Sequence, residues 1–176
     1  MNSARPSIGD DRALRRSAGF TAIELVLAVV VTCIVAAVLV SAVRTYAIRA
    51  QVTSGLQLAL PWRAMVEVRF RQTDQVPRTW GDLNAGPEDL SSVYVQTVQI
   101  ENGRIDIVYG NDAASPISGR RVSLMPYETP DGSVVWLCGA DGPGPGLEPL
   151  GFASGGAQPE AVPPTIGARY LPAECR

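Results

Sequence analysis

At 176 residues the chain is long enough for one compact domain carrying a long extra element and too short for two full domains. A formal net charge of −2, from 15 basic and 17 acidic residues, provides no field of one sign that would make nucleic acid the main partner. Every basic residue is arginine; without lysine or histidine the commonest general base and the usual amine nucleophile are missing, leaving carboxylates, hydroxyls and three cysteines for any chemistry.

Residues 1–19 hold Arg5, Arg12, Arg15 and Arg16 against Asp10 and Asp11. Phe20 to Val43 is a run of 24 residues whose only charge is Glu24. As a helix this run measures about 36 Å, enough for a bilayer core of about 30 Å. Arginines beside an apolar span keep their side in the cytoplasm, so the rest of the chain is expected to face outward. A secretory signal peptide would have an apolar core of only about 7–15 residues and a small-residue cleavage site. A plain signal anchor accounts for the length and the flank but not for Glu24. A carboxylate inside an apolar span costs several kcal/mol unless it is protonated or paired; the plain alternative is an acid tolerated near the membrane surface.

Gly19-Phe20-Thr21-Ala22-Ile23-Glu24-Leu25 resembles the processing site of type IV prepilins, and the site coincides with the span and the basic leader. The resemblance implies cleavage after Gly19 by a prepilin peptidase, N-methylation of Phe20, and loss of residues 1–19. It also implies a role for Glu24: attraction to the Phe20 amine of a neighbouring subunit, which neutralises two buried charges only when subunits stack in register. Methylation keeps the charge on that amine. The segment Tyr46-Ala47-Ile48-Arg49-Ala50-Gln51-Val52 with Gly55-Leu56 is similar to the stretch just past the span in major pilins. Cys33 and Ser41 stand where the family often has a helix-weakening glycine and proline, which implies a more continuous helix or a minor subunit.

Ile48, Val52, Leu56, Ala59, Val66 and Phe70 fall at spacings of three, four or seven, one face of an amphipathic helix. The helix is expected to continue from residue 44 to about Thr73, with Pro61 either bending it or dividing it in two. The remaining residues, 75–176, form the head. Tyr94, Val98 and Ile100 alternate, Asn102-Gly103 is a hairpin signal, and Ile105, Ile107 and Val108 come after it. Val122 with Leu124 and Val134 with Trp136 give two further strands around the turn Pro130-Asp131-Gly132. The expected architecture is α+β: a long N-terminal helix whose amphipathic half covers one face of a four-stranded antiparallel sheet.

Gly139–Ala168 contains eight glycines and six prolines and is expected to be loop. Trp136-Leu137-Cys138 and Tyr170-Leu171-Pro172-Ala173-Glu174-Cys175 resemble the borders of the disulfide-bounded loop of pilins, which implies a Cys138–Cys175 bond. Such a closure outside the cytoplasm stabilises by about 4 kcal/mol in the chain-entropy model. Cys33, inside the span, reads as a free, buried, small apolar filler. Two cysteines without histidine make a poor zinc site. Glu88, Asp89, Asp112 and Asp131 lie in no recognisable calcium loop and read as solvated charges; no cofactor is expected.

The resemblance implies a structural subunit of a type IV pilus, made in the inner membrane with its N-terminus cytoplasmic. From there it passes through the pilus assembly platform into an extracellular filament of its own copies, used for adhesion, twitching motility or DNA uptake. A minor pilin or a type II secretion pseudopilin has the same architecture, and the disulfide-bounded end argues for the pilus side. A different class is a binding module in which the Gly/Pro-rich loop with Arg120, Arg121 and Arg169 recognises DNA or a host receptor, though three scattered arginines support it weakly. A membrane-anchored enzyme lacks a nucleophile and base at recognisable spacing.

Overall fold

The computed structural model describes residues 21–84, 90–139 and 142–176. They divide into two units, the described part of Met1–Val40 and Ser41–Arg176.

Helix α1 runs Ala22–Leu58 and α2 runs Leu60–Thr73. The long helix expected to reach Thr73 does so, Ala22–Thr73, with a one-residue interruption two positions before Pro61. Ala59, the residue between the helices, keeps right-handed dihedrals (φ −80°, ψ −12°), and its N–H reaches back three residues to the Leu56 carbonyl at 3.2 Å. A proline has no N–H and its ring crowds the preceding turn, so the ladder tightens by one residue. It resumes with Arg63 N–H on the Ala59 carbonyl at 3.0 Å. At the far end Asp74 turns left-handed (φ 55°) and closes α2 on the Phe70 carbonyl.

The face predicted from spacing is the one that packs. Val52, Ala59 and Val66 are fully buried, with Ile48, Leu56 and Phe70 against them. Gly55 lies on the same face, and the Tyr109 ring fills the place of its missing side chain: a Cβ there would stand 2.5 Å from Tyr109 Oη. That hydroxyl donates to the Val52 carbonyl at 2.7 Å. Burial pushes the Tyr109 phenol well above its ordinary pKa, so it remains a donor.

The sheet is β1 (Val95–Glu101), β2 (Arg104–Tyr109), β3 (Arg121–Glu128) and β4 (Val134–Leu137), antiparallel neighbours in chain order. Asn102 (φ 50°) and Gly103 (φ 83°) supply the two left-handed residues of a tight hairpin turn. Alternation along β2 puts Ile105, Ile107 and Tyr109 on one face, with Ile105 and Ile107 paired in register with Leu124 and Val122 of β3. The bond from Tyr109 to Val52 fixes this as the helix-facing side.

The opposite face is buried as well, which the sequence did not lead one to expect. Arg104, Asp106 and the Ser123 that pairs with Asp106 are all inaccessible. Their cover comes from the loop after β4: Arg104 Nη1 donates to the Glu160 carbonyl at 3.0 Å, and Leu150 N–H to the Pro126 carbonyl at 3.1 Å. Within that loop Glu148–Pro149 forms a short strand, β5, paired with Tyr127 and Glu128 of β3, a departure from the purely irregular segment expected of its composition. The pairing of β2 on β3 ends at Leu124 and that of β5 starts at Tyr127. Pro126 therefore falls in the gap between them, where no N–H is required.

Burying a guanidinium demands partners, and Arg104 has a full set. Its Nε lies 3.1 Å from both Asp106 carboxylate oxygens, its Nη2 2.8 Å from Oδ2, and Glu101 takes a further bond. Desolvation alone would lower the Arg104 pKa, but the Asp106 and Glu101 carboxylates outweigh it and the net shift is upward.

Candidate assembly helix and disulfide-closed head

Among the described residues, one helical stretch is long and apolar enough to cross a membrane, and its most apolar window is entirely unburied. α1 buries no residue before Val52. Ile23, Leu27 and Val38 are 78, 66 and 64 % exposed, and the aliphatic positions run around the whole circumference rather than along one stripe. A helix apolar on all sides belongs in lipid or inside an assembly. Two polar side chains along α1 are satisfied within it: Thr32 Oγ1 donates to the Ala28 carbonyl at 2.7 Å and Thr45 Oγ1 to the Ser41 carbonyl at 3.1 Å. α1 continues unbroken through Cys33 and Ser41.

Glu24 stands exposed in the first turn of α1. Its carboxylate has no partner among the described residues; Gly19 and Phe20, the expected cleavage pair, lie outside them. Cys33 is a free thiol but an exposed one. In the single chain no described residue packs over this part of α1 to bury it.

In the head, Cys138, just after β4, is bonded to Cys175 in the terminal turn Ala173–Cys175, with Cα atoms 4.7 Å apart. Both cysteines are buried. The loop they bound is fastened to its surroundings at separate points. Arg49 Nε of α1 donates to the Arg169 carbonyl at 3.0 Å. Arg121 N–H donates to Thr165 Oγ1 and Arg120 Nη1 to the Thr165 carbonyl, each at 2.8 Å. Arg169 lies with its guanidinium 4.6 Å from the Tyr170 ring centre. Thus Arg120, Arg121 and Arg169, scattered in sequence, converge on the segment 165–170. Arg121, half-buried as a residue, has its Nε buried without a hydrogen-bond partner among the described residues.

The remaining candidate acids do not gather. Asp112 is exposed, and Glu88 and Asp89 lie outside the described residues. Asp131 closes the β3–β4 turn, accepting from the Thr129 and Ser133 hydroxyls, which hold its carboxyl below the ordinary range. Among the described residues no group of three His, Cys, Asp or Glu is placed to hold a metal ion.

Sequence reasoning missed Tyr109, the reason for Gly55, and the Arg104–Asp106 pair. It also missed the tryptophans that brace α2. Trp136 Nε1 donates to Glu67 Oε1 at 2.8 Å, and Trp62 meets Trp80 edge-on with ring centres 4.9 Å apart. The Arg-x-Asp spacing in β2 was the available signal, since alternate residues of a strand share a face, but only the distant loop makes that face an interior.

An α+β head on a helix whose other half is bare aliphatic surface is the form of a subunit that associates with membrane and with its own kind through that helix. Residues 48–176 match the family model described as Pilin (bacterial filament), and the chain belongs to the pilin family, as a structural subunit. A type IV major pilin protein PilE1 of Neisseria gonorrhoeae is 30 % identical over 164 residues, covering 90 % of this chain and 86 % of the relative. A type IV major pilin protein PilE of the same organism is 33 % identical over 125 residues, 69 % of this chain and 73 % of the relative. A fimbrial protein of Neisseria meningitidis serogroup A is 32 % identical over 123 residues, 69 % and 72 % of the two chains.

Proposed function

We propose that the chain is the major subunit of a type IV pilus. It is made as a precursor whose residues 1–19 are removed by a prepilin peptidase after Gly19, with N-methylation of Phe20. Before assembly the apolar segment 20–43 holds it in the inner membrane, leader on the cytoplasmic side and head outside. The assembly platform then moves it into a filament at the cell surface, where adhesion, twitching motility or DNA uptake are the uses open to it. The observation that carries this reading is Glu24, an exposed carboxylate in the first turn of a helix that is otherwise bare aliphatic surface. Such a charge is costly in lipid and in a packed bundle alike, and the methylated amine of a neighbouring Phe20 offsets that cost only in an assembled array. The names of the Neisseria relatives support the major-subunit reading.

A minor pilin or secretion pseudopilin is the second reading, favoured by the unbroken course of α1 through Cys33 and Ser41. Abundance in sheared filaments separates the two: a major subunit dominates them and a minor one is nearly absent. The pathway itself is tested by expressing the chain in a host with a prepilin peptidase and determining the mature N-terminus by intact and peptide mass. A start at methylated Phe20 is expected. An uncut chain, in a host shown to process other prepilins, would leave only a signal-anchored outward-facing head.

A further inference from the structure

The apolar run of α1 gives way at once to Arg44, then to Tyr46 and Arg49, and no acid occurs between Glu24 and Glu67. Along the helix Arg49 lies about 9 Å beyond Val43, within about one screening length at physiological salt. The head adds to the same end. Arg49 Nε holds the Arg169 carbonyl at 3.0 Å, Arg169 covers Tyr170, and Arg120 holds the Thr165 carbonyl four residues earlier in that segment. Gln51 Oε1 accepts from Ala114 N–H at 2.9 Å, which sets the loop ending at Arg120 beside the same stretch of helix. Arg44, Arg120 and Arg169 are exposed, and Tyr46 is 76 % exposed. The ion pairs among the described residues converge on Arg104, so none of these guanidinium groups is paired with a described acid. The neighbouring acids are Asp112, in the loop before Arg120, and Glu174, five residues after Arg169.

We propose that Arg44, Tyr46, Arg49, Arg120, Arg169 and Tyr170 form a collar that binds the phosphate headgroups of anionic phospholipid while the subunit is still membrane-inserted. Basic groups near a membrane surface attract anionic lipid, and aromatic side chains at headgroup level anchor the interface. The inference rests on the reading that the segment 20–43 crosses a membrane. The shared chemistry with DNA is the phosphate, but the patch adjoins the end of the apolar run and includes an exposed tyrosine, which favours lipid. The collar would set the depth and tilt of the head in the membrane before extraction into a filament.

The test uses the full chain in mixed micelles with equal phosphatidylglycerol and phosphatidylcholine, counting each retained lipid by native mass spectrometry. The chain is expected to retain phosphatidylglycerol preferentially, and Arg44→Gln with Arg169→Gln, which leaves the Arg49 hydrogen bond in place, lowers that preference by about fivefold per arginine at low salt. Lysine at the same positions preserves most of it. Arg71→Gln with Arg78→Gln, beyond the opposite end of the helix-facing sheet, leaves it unchanged. Equal retention of the two lipids, or an unchanged preference in the Arg44/Arg169 variant, would overturn the proposal. So would duplex DNA binding that this variant abolishes without any lipid preference, which would assign the patch to nucleic acid. Resistance of the wild-type chain to alkaline extraction from vesicles is scored separately: extraction removes the membrane-crossing reading itself, whereas firm insertion without lipid preference removes only the collar.

Discussion

Residues 22–43 of α1 and residues 48–70 across α1 and α2 share the same helical backbone, yet the first stretch buries nothing in the single chain while the second buries Val52, Gly55, Ala59 and Val66. The difference lies in side-chain pattern. Where apolar residues recur on one face they find the sheet; where they occupy all faces no single partner can cover them. A chain that keeps so much aliphatic surface bare is incomplete alone, and in a pilin the missing partners are lipid before assembly and other copies after it. The head, by contrast, is closed on both faces of its sheet and tied at its terminus. Its stability is expected to respond to substitutions in the second stretch and in the loop, and hardly at all to those in the first.

The largest effect is expected at the buried ion pair. Arg104→Met strands Asp106 without its cation and should destabilise the head by about 3–5 kcal/mol in urea unfolding; a double variant with Asp106→Leu should recover much of this. Nearly as large is loss of the disulfide: Cys138→Ser with Cys175→Ser should cost about 4 kcal/mol, read as a lower thermal midpoint that no longer responds to reductant. Gly55→Ala pushes a methyl into the Tyr109 ring and should cost about 1–3 kcal/mol as overpacking, with part of the loss relieved when Tyr109 is also changed to Leu. An insensitive Gly55→Ala variant would contradict the close helix–sheet approach.

The smallest effect concerns Asp82, whose Oδ2 accepts from the N–H groups of Arg78 at 2.7 Å and Thr79 at 3.2 Å. Those bonds favour the charged form and hold the folded carboxyl below its ordinary value of 3.8. A depressed folded pKa gives stability that is present above that ordinary value and is lost as pH falls through the depressed one. As the N3 carboxylate of a capping box, exposed and therefore screened by solvent, Asp82 should on change to Asn cost only a few tenths of a kcal/mol at neutral pH, and the gap from wild type should close in acid. A gap that widens on acidification would reverse the sign of the argument.

Much of this division was legible in the residues because it depends on local pattern. The bare stretch announced itself as an apolar run with one acid, the packed stretch by its spacing, and the β1–β2 turn by Asn102-Gly103, whose positive φ angles suit those residues. What stayed hidden depends on contacts distant in sequence. Arg104 and Asp106 gave no signal of a buried pair, because only the loop near Glu160, more than 50 positions away, covers them. Gly55 has meaning only opposite Tyr109, 54 positions further on. The loop 139–168 read as irregular from its glycines and prolines, but composition gave no sign that it roofs the second face of the sheet. The break at Ala59 was foreshadowed by Pro61, yet whether such a residue bends or divides a helix is decided by how the next turn re-forms its hydrogen bonds.

On the proposed function the bare stretch serves assembly and adds nothing to the fold of the head. The most direct measurement is the yield of sheared filaments from cells whose only copy of the subunit carries Glu24→Ala, compared with wild type at matched levels of processed protein. The account predicts filaments greatly reduced or lost, with the thermal midpoint of the head unchanged. Filaments of normal yield and length from the Glu24→Ala subunit would contradict it.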